Sequence, residues 1–235
     1  MLFASTGCSF TFGQGLYWDR ILEKYKDDWE SIRWSSDWPK IRTMLSVEDL
    51  KYMKSFTYSY LLSKTLDCEY ITNPGDGMWE YNLPPSNFES YKVIDVWIEN
   101  QQKNTDVKLD FIILQLTAPE RDKYSIEESA QRIIQLNTNC EKNDIKLFVW
   151  SWRRELADKL DTKDFWIKLL YNDREYNSLE DWQATFEPHT GEYPPLYIYD
   201  EKFNEFGIDD RHPTKFTNQV VHDSILKKIK DIGIV

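Results

Sequence analysis

Apolar residues along this chain fall into two kinds of run, and their alternation predicts the fold. Short, nearly unbroken runs stand at Leu2 to Thr6, CEYITN (68–73), LDFIILQL (109–116) and IKLFVWSW (145–152). Runs of that length and continuity suit strands buried on both faces. LDFIILQL is the clearest, and LYIYDEK (196–202) reads as a short final strand. Between these runs the apolar positions recur at helical spacing. Ser46 opens SVEDLKYMKSFTYSYLLSKTL (46–66), read as one helix, with Ser46 and Asp49 as a capping box. SNFESYKVIDVWIENQQ (86–102) places Tyr91, Ile94, Trp97 and Ile98 on one face, and Ser125 with Glu128 caps a helix running to about Cys140. Residues 156–185 read as mostly helical and polar-aromatic. Pro213 begins a last helix reaching about Ile232, where its missing N–H costs nothing.

Strands separated by helices in this way predict a three-layer α/β/α sandwich with a mainly parallel sheet of about five strands. The chain shows no internal repeat, low-complexity tract or linker, so residues 1–235 are expected to form one domain. Residues 17–43, with Trp18, Trp29, Trp34 and Trp38, are longer than a connection needs. Such a stretch is expected to be an insertion or lid, with Trp18 and Trp34 as candidate substrate contacts.

Composition narrows the function. Hydrophobic residues at 41% and aromatics at 15% are enough for a packed core. With 40 acidic against 29 basic side chains the net charge is -11, which argues against nucleic acid or an anionic membrane as a partner. Cysteines at 8, 68 and 140 form neither a CxxC pair nor a disulfide framework and suit a reducing compartment. No run of 18 apolar residues and no basic, apolar leader is present, so membrane insertion is not expected and a cytoplasmic location is.

Parallel α/β sheets bind ligands beyond the carboxyl ends of their strands. The segments there are GCSFTFGQG (7–15), NPGDG (73–77), LTAPER (116–121) and SWRRE (151–155), and DDRHP (209–213) stands before the last helix. Ser9 sits between Gly7 and Gly13 in the first turn. It lacks the GxSxG spacing of a nucleophile elbow, because Thr11 stands at the last glycine position, and no Lys-Ser or Lys-Thr follows as in a phosphate loop. Asp209 and His212 can turn toward one face, the carboxylate holding the imidazole in the tautomer that accepts a proton from a serine. Of the other histidines, His189 lies in a loop and His222 inside the last helix. Arg121 is placed to clamp an anion or to pair with an acidic neighbour. The three histidines form no HExxH pattern and no metal or cofactor is expected.

Together the GxSxxxG turn after the first strand, the glycine turn after the second and the DxxHP before the last helix resemble the SGNH, or GDSL-type, hydrolases. That resemblance implies a flavodoxin-like sandwich and a serine hydrolase that cleaves an O-acyl or O-acetyl ester. Ser9 maps to the nucleophile, His212 and Asp209 to its base and acid, and the N–H groups of Ser9 and Gly75 to the oxyanion hole. The implied substrate is a small acylated molecule, an acylated carbohydrate among the candidates. The sequence departs from the family in two places: Cys8 replaces the usual acid of GDS, and Thr117 stands where GxND carries its oxyanion-donating Asn. The departure at Thr117 favours an alternative, a catalytically weak or inactive SGNH-like module that binds carbohydrate or a protein partner, for example in a virion. A further alternative makes Cys8 the nucleophile with His212.

Overall fold

The computed structural model describes residues 1–7, 44–72, 86–103, 108–117, 124–185 and 215–235, together with Leu16, Arg20, Glu23, Lys24, Pro119 and Asp122. Four of the apolar runs form strands: β1 (Leu2–Thr6), β2 (Glu69–Thr72), β3 (Phe111–Leu116) and β4 (Lys146–Ser151). They build one sheet in the order β2-β1-β3-β4, and every pairing is parallel. The helices are α1 (Val47–Lys54), α2 (Tyr58–Thr65), α3 (Asn87–Lys103), α4 (Ile126–Glu141), α5 (Arg154–Leu160), α6 (Leu179–Gln183) and α7 (Lys215–Asp231).

Because strand side chains alternate between faces, each strand feeds two cores. Phe3, Phe111, Ile113, Phe148 and Trp150 pack against Tyr58 and Leu62 of α2 and Val221 and Ile225 of α7. Ala4, Ile112, Leu114, Leu147 and Val149 meet Tyr91 and Ile94 of α3, Ile133 and Leu136 of α4 and Leu156 of α5. The result is a sheet between two helical layers. Phe3 and Phe111 are register partners and stack with ring centroids 4.8 Å apart. Each buried ring of this kind stabilises the fold by roughly 1.5–3 kcal/mol.

Both capping boxes form. Ser46 accepts the Asp49 N–H and Ser125 the Glu128 N–H, and each acidic side chain returns a bond to its cap. Two expectations are corrected. Residues 46–66 are two helices, not one, because the Thr57 hydroxyl donates to the Lys54 carbonyl and accepts the Tyr60 N–H, which starts α2 afresh. Residues 156–185 are not mostly helical: after α5 comes an antiparallel hairpin of β5 (Leu169–Tyr171) and β6 (Arg174–Tyr176). Its two-residue loop, Asn172-Asp173, has φ of 49° and 59°, the left-handed pair a type I′ turn needs. Among the described residues the main sheet has four strands. Beside β4 residues 165–167 add only a single parallel rung, in which Val149 N–H donates to the Phe165 carbonyl and Ile167 N–H to the Val149 carbonyl. The final strand expected at 196–202 and the Trp-bearing stretch 17–43, apart from Arg20, Glu23 and Lys24, lie outside the described residues.

Candidate functional site

From β1 the chain crosses to β2 on one side of the sheet, then returns past β1 to place β3 on its other side. The direction of winding therefore reverses between β1 and β3, and ligand crevices of such sheets open at that point, beyond the carboxyl ends. β1 delivers Thr6 and Gly7 to this edge, β3 delivers Thr117, and β4 delivers Ser151 and Trp152.

Of the residues expected in the site, Thr117 is described. Ser9, Gly75, Asp209, His212, Trp18, Trp34 and Arg121 lie outside the described residues. Thr117 is 1% exposed, and its Oγ1 has no hydrogen-bond partner. Its backbone is held firmly instead: the N–H donates to Asn87 Oδ1 at 2.7 Å, and Asn87 Nδ2 donates to the Thr117 carbonyl at 3.3 Å. Asn87, also 1% exposed, stands in the first turn of α3. Its carboxamide is occupied by the strand-end backbone, which leaves the threonine hydroxyl as the uncommitted donor. Thr6 Oγ1 at the end of β1 is likewise buried without a partner. A buried hydroxyl left this way costs roughly 1–3 kcal/mol, which marks both positions as more than packing.

Asn87 did not stand out in the sequence. The signal was there: Asn87, Ser90 and Tyr91, and Ile94 follow the same i, i+3/i+4, i+7 spacing as the apolar face of α3, and all four are buried.

No family model, curated protein or solved structure matches this chain. The site is therefore read from its own chemistry.

At the end of β4 the Ser151 hydroxyl donates to the Arg153 carbonyl and accepts the Arg153 N–H, closing a tight turn. Arg153 then pairs with Glu155 at 2.8 Å, and Arg154 with Asp181 at 2.5 Å. Arg153 holds the Glu155 carboxyl below the ordinary range. The cations of SWRRE thus brace α5 and α6.

A second charged group flanks the start of α7. Asp49, 2% exposed, accepts from Arg20 Nε at 2.8 Å, Lys24 Nζ at 2.5 Å and the Ser46 N–H and hydroxyl. Burial pushes its carboxyl up, but these donors outweigh burial and hold it well below the usual carboxylate range. Arg20 also bonds Glu23, Glu23 bonds Lys215, and the Lys215 ammonium lies 4.5 Å from the Phe56 ring centroid. Lys215 is the third residue past His212.

His222, the one described histidine, is 5% exposed, with Nε2 3.0 Å from Thr65 Oγ1 and Nδ1 2.7 Å from Asp223 Oδ1. The contact to Thr65 ties α7 to α2, whereas Asp223 is the neighbour of His222 on α7. Two clefts are outlined among the described residues, of about 270 Å³ by Lys163, Trp166 and Ser224 and about 410 Å³ by Asp95, Gln102 and Asn139. Among the described residues no group of His, Cys, Asp and Glu is placed to hold a metal ion, and no helix is long and apolar enough to cross a membrane.

Proposed function

We propose that the chain is a serine hydrolase that cleaves an ester of a small acylated substrate through Ser9, His212 and Asp209. In this mechanism His212, oriented by Asp209, takes the Ser9 proton as Oγ attacks the ester carbonyl. The oxyanion that develops accepts from the N–H groups of Ser9 and Gly75 and from the Thr117 hydroxyl. His212 returns its proton to the leaving alcohol, and water releases the acyl group from Ser9 by the same route.

The observation that carries this reading is the pairing of position and chemistry at Thr117. It follows β3 at the winding reversal, its backbone is clamped by Asn87, and its hydroxyl has no partner of its own. A preorganised donor with no ground-state partner is what an oxyanion hole requires. The loop-capping role open to a threonine after a strand needs a bond that this hydroxyl does not make.

The alternative is an SGNH-like module that binds carbohydrate or protein without turnover. Threonine in place of the expected Asn favours it. Hydrolysis of p-nitrophenyl acetate by the wild type against Ser9→Ala separates the two. Turnover lost in Ser9→Ala supports the hydrolase, and equal rates would end that reading.

A further inference from the structure

Beneath the carboxyl edge, on the α2 and α7 face of the sheet, a chain of buried polar groups crosses three elements. Asn218, in the first turn of α7 and 1% exposed, accepts the Tyr58 N–H on Oδ1 at 3.1 Å. Tyr58 opens α2, so this bond satisfies a helix-start amide that the helix itself leaves unpaired. The Tyr58 hydroxyl, at the other end of the same side chain, lies 3.1 Å from Ser5 Oγ on β1, and Ser59 Oγ donates to Ser5 Oγ at 2.9 Å. The Tyr58 ring is fixed edge-on to Trp150 of β4, with centroids 5.7 Å apart.

The two ends of this chain have a particular place in the sequence. Ser5 is four residues before Ser9, and Asn218 is six residues after His212. The segments that carry the nucleophile and its base come from opposite ends of the chain. Hydrophobic contact alone fixes two such elements less sharply than directional bonds in a low-dielectric interior, where an unmade bond is costly. We infer that Asn218, Tyr58 and Ser5 are positioning residues that set β1 against the start of α7 and thereby the reach of His212 to Ser9. The inference rests on the proposed hydrolase reading. Second-layer partners of this type keep reacting groups within the few tenths of an ångström that proton transfer needs.

The test compares steady-state hydrolysis of p-nitrophenyl acetate by Tyr58→Phe, Asn218→Ala and Asn218→Asp. Tyr58→Phe keeps the ring and its contact with Trp150 while removing the bond to Ser5. Asn218→Asp keeps the acceptor for the Tyr58 N–H and places a carboxylate at the starts of α2 and α7, where helix dipoles favour it. Thr65→Val is the control, since it removes the bond to His222 that joins the same two helices about 10 Å further along α2.

Tyr58→Phe and Asn218→Ala should each lower kcat at least fivefold with KM within twofold. Asn218→Asp should return to within twofold of wild type, and Thr65→Val should leave kcat unchanged. Folding is checked by circular dichroism, and Tyr58→Phe, the mildest change, decides if Asn218→Ala does not fold. The inference is overturned if Tyr58→Phe retains the wild-type kcat, or if Thr65→Val loses as much as Tyr58→Phe. Ser9→Ala, run beside them, tells the failures apart. Its full retention of turnover sinks the hydrolase reading, whereas its loss with an unaffected Tyr58→Phe sinks only the positioning role.

Discussion

Asn87 grips Thr117 from both sides of its peptide backbone, accepting from the N–H at 2.7 Å and donating to the carbonyl at 3.3 Å. The pair joins the start of α3 to the end of β3 across 30 residues of sequence. It also separates two roles that a strand-end threonine could otherwise combine, since backbone placement falls to Asn87 and the hydroxyl is left over.

Thr117→Val should therefore split stability from activity. Removing a buried, unpartnered hydroxyl relieves a desolvation penalty of about 1 kcal/mol, so Tm should hold or rise. With the donor gone, kcat should fall ~10-fold or more with KM nearly unchanged, the pattern of an interaction made in the transition state. Calorimetry and steady-state kinetics on one preparation read both. A lower Tm with intact kcat would show a structural hydroxyl instead.

Asn87→Leu should do the reverse. It leaves the buried N–H and carbonyl of Thr117 without their side-chain partner, at a cost of roughly 2–4 kcal/mol. Urea denaturation should show a lower midpoint with an unchanged slope. A midpoint shift below about 0.5 kcal/mol equivalent would mean that the clasp is replaced by water.

Asp49 sets a pH dependence whose sign follows from its depressed pKa. The folded-state value lies below the unfolded one of ~3.9, so its contribution is fully present above about pH 4 and is lost as pH falls through the folded value. Asp49→Asn leaves Arg20 and Lys24 without their shared anion, and both are partly solvated. The expected loss at pH 7 is on the order of 2 kcal/mol. The gap between variant and wild type should narrow in urea melts as pH drops below 4. A gap that stays constant from pH 7 to pH 3 would refute the assignment.

The β5–β6 hairpin turns on two residues with positive φ. Asp173→Gly converts the loop to Asn-Gly, the pair that type I′ turns favour, and should raise stability by ~0.5–1 kcal/mol. Asp173→Val should lower it by about 1–2 kcal/mol, because a β-branched side chain resists the left-handed region. Thermal melts of the two variants should move in opposite directions.

Cysteine labelling gives a fifth contrast. Burial pushes the Cys140 thiol up to about 12, and it is fully covered. Burial also raises the half-buried Cys68. At pH 8 iodoacetamide should leave Cys140 unmodified until the protein is unfolded, with Cys68 modified first of these two. Alkylation of Cys8 that leaves hydrolysis untouched would dispose of a thiol nucleophile.

What the sequence made legible follows from which forces act locally. The Ser46–Asp49 and Ser125–Glu128 boxes were readable because a cap needs only two residues at fixed spacing, and both form. β3 and β4 were readable because burial on both faces leaves an unbroken apolar run. The break at Thr57 was hidden, since the apolar spacing of 46–66 continues through it and only a hydroxyl–backbone bond decides. The hairpin at 169–176 was hidden too, because Asn172-Asp173 is a turn pair only when both adopt positive φ. Asn87 was missed because a polar residue at a helix start ordinarily faces water, and only the sheet behind it makes it a clasp.

The sheet order has a consequence for how the protein is made. β1 lies between β2 and β3, and its Phe3 pairs with Phe111. During translation this apolar segment leaves the ribosome long before its main partner exists. At about 5–20 residues per second the wait across that span is roughly 5–20 s, far longer than hydrophobic collapse takes. Through that interval β1 has β2 as its only sheet partner, and its β3 side stays exposed to chaperones and to other nascent chains. Slow codons placed after β1 should therefore lower soluble yield, whereas slow codons beyond residue 151 should not.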